Sequence, residues 1–111
     1  MNAFQAIAIN CRLSEDVVRR AFSHKPVYYK TAARIALNLD ISPNAFNCVC
    51  GPALYRPVKG LDPYRAIEKN ACVSWRTLRT AFAGRPITLI TALKIVDATG
   101  VPLSAFNVAL V

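Results

Sequence analysis

The sequence predicts an all-α fold made of two tandem four-helix units related by an internal repeat of sixty residues. Three observations carry that expectation. Phe4 to Val49 aligns with Tyr64 to Ala109 without a gap, and fourteen of those forty-six positions are identical. They include Ala6/Ala66, Ile7/Ile67, Asn10/Asn70, Ser14/Ser74, Arg19/Arg79, Ala21/Ala81, Phe22/Phe82, Pro26/Pro86, Thr31/Thr91, Ile35/Ile95 and Phe46/Phe106. A period this long marks a supersecondary unit or small domain in each copy, not a solenoid turn. Apolar residues also recur at helical spacing, and the period-two alternation of a strand is absent.

The elements follow in order. The expected helices are 2–11, 14–23, 28–39 and 43–49, each repeated sixty residues later. Ser14 and Ser74 are N-caps for the second helix of each copy. That helix places Val18 and Phe22, or Leu78 and Phe82, four apart on one buried face. In the third helix Ala32, Ile35, Ala36 and Leu39 form one stripe, and Leu89, Ala92, Leu93 and Val96 form the other. Gly100 supplies a left-handed stop with Pro102 beyond it, and Asp40 takes the same place in the first copy. Ser42-Pro43 and Pro102 introduce a short last helix carrying Phe46 or Phe106. Residues 50–63 hold Gly51, Pro52, Pro57, Gly60 and Pro63 and read as a linker between unit 1 (1–49) and unit 2 (64–111). Each unit is near the size below which a chain struggles to bury a core, so the two are expected to pack into one pseudo-symmetric body.

Charge narrows the function. Fourteen Lys and Arg oppose six Asp and Glu, a formal net charge of +8 on 111 residues. Such a surplus points to a polyanion, nucleic acid first. Six basic residues fall in each copy, so the charge belongs to folded faces and not to a tail. No apolar run reaches membrane-spanning length, and MNAFQAIAIN has no basic n-region of a signal peptide. Cys11, Cys48, Cys50 and Cys72 lack zinc-ribbon or redox spacing, and His24 has no co-ligand beside it. The expectation is reduced, core-filling thiols in a cytoplasmic protein, with no metal and no cofactor.

The second copy carries the motif. In AIEKNACVSWRTLRTAFAG, residues 66–84, a helix ends in a small residue, Cys72-Val73-Ser74 forms a tight turn, and a second helix follows to Gly84. Arg85-Pro86, a helix with Ala92, Leu93, Lys94 and Ile95, then Thr99-Gly100-Val101 come after it. This order resembles the lambda-repressor-like helix-turn-helix family, which includes phage repressors and Cro, and the local motif is similar to the lac-repressor headpiece. Val73, Ser74, Thr77, Leu78, Gly84, Pro86 and Gly100-Val101 match the pattern, and the first copy keeps Leu13, Ser14, Val18, Pro26 and Ile41. The turn position usually held by glycine is Arg12 in one copy and Cys72 in the other. The family's usual first helix is missing from both, so the other copy or the linker is expected to cover that face. The resemblance implies a sequence-specific, duplex-DNA-binding transcriptional regulator with its recognition helix at 74–83, supported by 14–23.

Residue chemistry leads the same way. A recognition helix must be exposed on one face and held rigidly by the other. From Ser74 the buried face takes Leu78, Ala81 and Phe82, leaving Trp75, Arg76, Arg79 and Thr80 outward. Arg76 suits guanine O6 and N7, and Thr80 a thymine methyl or a hydrogen-bonding edge. Trp75 either packs on the other copy or makes apolar contact at the groove. Ser74, Thr77, Arg79 and Arg85 would hold phosphates. In the first copy Arg20 is placed at the bases and Ser14, Arg19, Lys25 and Lys30 at phosphates. Its outward Glu15 and Asp16 either stabilise the helix N-terminus or, for Glu, accept from a cytosine amino group. If both copies engage, their recognition helices should lie about 34 Å apart, one turn of DNA.

No paired carboxylates beyond Glu15-Asp16, no phosphate-cradling glycine loop and no supported Ser/His/Asp set exist, so catalysis is not expected. The rival reading is a protein-interaction module, an antirepressor or inhibitor, that keeps the fold without specific DNA binding. Glu15, Asp16, Cys72 and Trp75 favour it. Val101 to Val111, rich in apolar residues, would cover the other copy or pair two chains through a C-terminal helix.

Overall fold

Asn2 opens the first helix: its side chain accepts the Gln5 backbone N–H at 2.9 Å, and Gln5 Oε1 accepts the Asn2 N–H at 3.0 Å. This reciprocal cap satisfies donors that a helix start leaves unpaired. The computed structural model describes residues 2–50, 54–56 and 62–109. Helix α1 is Ala3–Cys11, α2 is Glu15–Phe22 and α3 is Tyr29–Leu39. Strand β1, Val27–Tyr28, leads into α3, a one-turn 3-10 helix covers Pro43–Ala45, and β2 is Cys48–Cys50. Strand β3 is Leu54–Arg56. The later elements keep the earlier order sixty positions on: α4 Pro63–Ala71, α5 Trp75–Phe82, β4 Ile87–Thr88, α6 Leu89–Thr99, a 3-10 turn at Leu103–Ala105 and β5 Val108–Ala109.

The molecule is mostly helical but not all-α. β1 pairs parallel with β2, β2 antiparallel with β3, and β4 parallel with β5. The pairs are only two or three residues long, too short for alternation to register in a sequence window. The fourth helices expected at 43–49 and 103–109 amount to one 3-10 turn before the chain extends at Phe46 and Phe106. Both rings must turn into the core there, and both are buried. The expected linker is also partly structured. Residues 54–56 pair with 48–50, and Pro63 is already the first residue of α4. Asp62 caps that helix, and residues 51–53 and 57–61 lie outside the described residues. The C-terminal helix offered for dimerisation is likewise replaced by β5.

Three turn positions recur in left-handed backbone: Arg12 and Cys72 (φ 57 and 56), His24 and Gly84 (φ 65 and 84), Asp40 and Gly100 (φ 57 and 72). Arg12 and Cys72 therefore make the turn without glycine, at a cost of about 1–2 kcal/mol each. At the second pair an amide closes the loop. Asn47 Nδ2 donates to the His24 carbonyl and Asn107 Nδ2 to that of Gly84, which accounts for asparagine at both sites.

One core joins the halves. Phe22 and Phe82, the last residues of α2 and α5, stack with centroids 5.5 Å apart and planes 25° apart. Around them, Phe4 meets Phe82 edge-on at 5.5 Å and Tyr64 meets Phe22 at 5.2 Å, equivalent contacts with the halves exchanged. Phe46 on Phe22 and Phe106 on Phe82 complete the set. Each half thus packs its aromatic face on the other. Polar links add to it: His24 Nε2 lies 3.1 Å from Asp62 Oδ2, and Asn70 Nδ2 donates to the Asp40 carbonyl at 2.9 Å.

Candidate nucleic-acid interface

The second-half turn sets the angle of α5. The Cys72 N–H closes α4 on the Glu68 carbonyl at 3.0 Å, and Val73 is buried behind it. Ser74 Oγ accepts the Thr77 N–H at 3.2 Å and lies 2.9 Å from Thr77 Oγ1. Glu68 Oε2 reaches across from α4 to accept the Trp75 N–H at 2.8 Å. A hydroxyl and a carboxylate thus satisfy the first turn, and the carboxylate suits its positive dipole end. Leu78, Ala81 and Phe82 are buried, Arg76 and Arg79 are exposed, and Trp75, Thr77 and Thr80 are half-buried. Thr80 Oγ1 donates back to the Arg76 carbonyl at 3.0 Å.

Three guanidinium groups gather at Trp75. The Cζ atoms of Arg65, Arg76 and Arg79 lie 5.1, 5.4 and 5.9 Å from its ring centroid. Arg79 also lies 6.0 Å from the Tyr64 ring. The indole face partly offsets the repulsion among these cations, and Glu68 supplies one carboxylate nearby. The exposed start of α5 still carries concentrated positive charge. Trp75 itself packs against the core's edge, among arginines of its own half.

The first half holds out something different from the same framework. Glu15 accepts from Arg19 Nε one turn on, and this bond, first among its causes, holds the Glu15 carboxyl below its usual range. The Arg19 guanidinium also rests 4.8 Å from the Phe4 ring centroid. Asp16 is exposed where the second half has Arg76. Arg20 Nη2 donates to the Pro26 carbonyl at 3.4 Å, turned towards its own loop.

Beside each of these helices runs a groove built from equivalent positions. The first, about 400 Å³, is lined by Val17, Arg20, Pro26, Val27, Tyr28 and Thr31. The second, about 310 Å³, has Thr77, Thr80, Pro86, Ile87, Thr88 and Thr91 at those places, with Arg76 added. Valine, arginine and tyrosine give way to hydroxyls. Ser14, Lys25, Lys30, Ser74 and Arg85 are exposed. Arg65, Thr88 and Thr91 were not singled out by sequence. The signal for Thr88 is its cap: its hydroxyl accepts the Thr91 N–H at 3.3 Å.

The spacing expected of two reading helices is not met. Side chains at the last residues of α2 and α5 stack at 5.5 Å. With about 1.5 Å of rise per residue, the midpoints of two such eight-residue helices lie at most about 25 Å apart. They cannot occupy successive major grooves one turn apart, about 34 Å.

Among the described residues no helix is long and apolar enough to cross a membrane, and no group of three His, Cys, Asp or Glu could hold a metal ion. Cys11 and Cys48 are buried, and burial pushes the Cys11 thiol above its usual value despite Arg34 nearby; Cys72 is exposed at the left-handed turn that closes α4, so it is not the core-filling thiol expected. The chain matches no family model, no curated protein and no solved structure among those compared.

Proposed function

We propose that the two halves are tandem helix-turn-helix units and that the chain is a duplex-DNA-binding transcriptional regulator reading with α5. The observation that carries this is the set of guanidinium groups from Arg65, Arg76 and Arg79 around Trp75, at the exposed start of a helix whose other face is buried. Arg76, Trp75 and Thr80 meet base edges, while Arg65, Arg79, Ser74, Thr77 and Arg85 hold phosphates. Because α2 cannot enter a successive groove, it supports: Arg19, Arg20, Lys25, Lys30 and Ser14 lie along the flanking backbone. Glu15 and Asp16 serve the start of α2, near its positive dipole end.

Trp75 is the only tryptophan of the sequence, so its emission reports on the site directly. Titration with duplex DNA is expected to change that emission with a nanomolar-to-micromolar Kd. Affinity should fall steeply with salt, at a log–log slope of about −0.9 per phosphate neutralised. Binding that ignores salt rules out this mechanism. A second reading has its own observation. Tyr28 and Tyr29 are 73% and 48% exposed beside the Arg20 groove, the kind of surface that takes a protein partner. If DNA leaves Trp75 emission unchanged, the interaction-module reading, antirepressor or inhibitor, takes its place.

A further inference from the structure

A cleft of about 260 Å³ lies between the halves, where the chain that closes α3 and forms the first 3-10 turn faces α4. Ile41, Ala45 and Ala66 give it apolar walls. Asn70 Nδ2 ties the two sides together by donating to the Asp40 carbonyl at 2.9 Å. Arg65 and Lys69 line it from α4, one turn apart and so on one face of that helix. Among the described residues neither cation is ion-paired, although Asp40 lines the same cleft. Ser42 Oγ accepts the Asn44 N–H at 3.2 Å, which leaves its O–H to donate. The opposite pairing of the halves carries the framework without the charges. Asn10, Ala6 and Ala105 repeat Asn70, Ala66 and Ala45, whereas Gln5, Ile9, Pro102 and Gly100 stand for Arg65, Lys69, Ser42 and Asp40. Packing accounts for the alanines and the asparagine; it does not ask for two cations, a hydroxyl and a carboxylate.

We propose that this cleft is a binding site for a small phosphorylated polyol. The phosphate sits between Arg65 and Lys69, and the Ser42 hydroxyl donates to one of its oxygens. Hydrogen bonds from cations to a phosphate are roughly twice as strong as neutral ones. Arginine offers it a planar fork and lysine a point charge, so the pair suits a compact dianion. The rest of the ligand follows from the acceptors. Asp40 repels a bare anion, and an ionised carboxylate only accepts. Asp40 and Asn70 Oδ1 therefore call for hydroxyl groups on the same molecule, beside the phosphate. The volume falls below the ~300–1,000 Å³ of drug-sized sites, which limits the ligand body to a few carbons. This inference does not depend on DNA binding.

The test is titration of the full chain, without DNA, with glycerol phosphate, followed by amide shifts in nitrogen–proton correlation spectra. The amides of Ser42, Arg65, Ala66 and Lys69 should shift together and saturate. Arg65→Gln with Lys69→Ile, which installs the residues of the first half, should raise the Kd at least about tenfold with unchanged helical circular dichroism. Lys94→Gln removes an exposed cation of α6 outside the cleft and should leave the Kd as it is. Inorganic phosphate, which lacks the hydroxyl-bearing body, should bind at least about threefold more weakly. The shift map of the unaltered chain stands whether or not the variants fold, and no saturable shift at those amides overturns the inference. So does a folded double variant that binds like the parent, or a Lys94→Gln variant weakened as much as the double one. Inorganic phosphate binding as tightly as glycerol phosphate overturns it too.

Discussion

Helices α2 and α5 have the same length, a serine cap at the same place and the same buried face, yet they hold out opposite chemistry. Ser14/Ser74, Ala21/Ala81 and Phe22/Phe82 are identical because they set the cap and the shared core. The outward positions diverge: Glu15 against Trp75, Asp16 against Arg76, Arg20 against Thr80. Even an identical residue changes meaning. Arg19 is ion-paired with Glu15, whereas Arg79, which makes no ion pair among the described residues, sits by two aromatic rings. Framework and surface are separable: the buried positions repeat, while Glu15 and Asp16 on α2 give way to Trp75 and Arg76 on α5.

The largest effects should test whether the framework is as symmetric as its rings. Among the described residues, Phe22 and Phe82 both sit at the centre of the aromatic cluster, touching each other, Phe4 and Tyr64. Phe22→Ala and Phe82→Ala should each destabilise by about 3–5 kcal/mol in urea unfolding. Each removes a ring shared by both halves, so the transition should stay single. Two transitions, or costs that differ by more than about 2 kcal/mol, mean that the halves do not share one core.

Next comes Tyr64, which stands where the first half has Phe4. Burial pushes its phenol up to about 12, the nearby Arg79 opposing. A raised folded value favours the neutral ring. The stability this contributes is full below the free phenol's value near 10 and is lost as pH rises through about 12. Over that window the parent should lose about 2–3 kcal/mol that Tyr64→Phe does not lose. Parallel alkaline curves for the two proteins would show that the hydroxyl reaches water.

The surface contrast is tested by paired substitutions at one position. Arg76→Ala should weaken specific duplex binding by about 1–3 kcal/mol and relax sequence preference. Asp16→Ala, at the equivalent site on α2, should leave affinity unchanged or raise it slightly. Arg79→Ala should weaken all sequences about equally. Swapped outcomes for Arg76 and Arg79 would mean the reading face is rotated around α5.

Much of this comparison is written in the residues themselves. The gapless match between copies, the serine caps and the apolar spacing at Val18/Phe22 and Leu78/Phe82 gave the helices to within a residue or two. The strands escaped because they are short and held by what lies far away: Val27 pairs with Cys48 across the whole of α3. The last helices were over-read because Ser42-Pro43 and Pro102 announce a helix start, while nothing local says that Phe46 or Phe106 must turn inward. At the surface, Arg76 and Arg79 follow from helical spacing. Arg65 does not, since only the α4–α5 packing brings it to Trp75. The separation of α2 and α5 depends on the Phe22–Phe82 stack, a contact between residues sixty apart that no local pattern encodes.

The smallest effect separates backbone from side chain. Asp40 and Gly100 close α3 and α6 in the same left-handed conformation, φ 57 and 72. A Cβ added at Gly100 meets nothing within 4 Å, so a residue there bears only the conformational cost. Gly100→Ala should therefore destabilise by about 1–2 kcal/mol, and Gly100→Asp by less, since aspartate tolerates this region better. In reverse, Asp40→Gly should stabilise by up to about 1 kcal/mol, reduced by the extra freedom glycine gives the unfolded chain. The substitution keeps the Asp40 carbonyl that Asn70 Nδ2 uses to tie the halves together, so that link is not disturbed. Urea unfolding of the three variants decides it. If Asp40→Gly instead costs more than about 1 kcal/mol, the Asp40 carboxylate holds a contact that the glycine of the other half never needed.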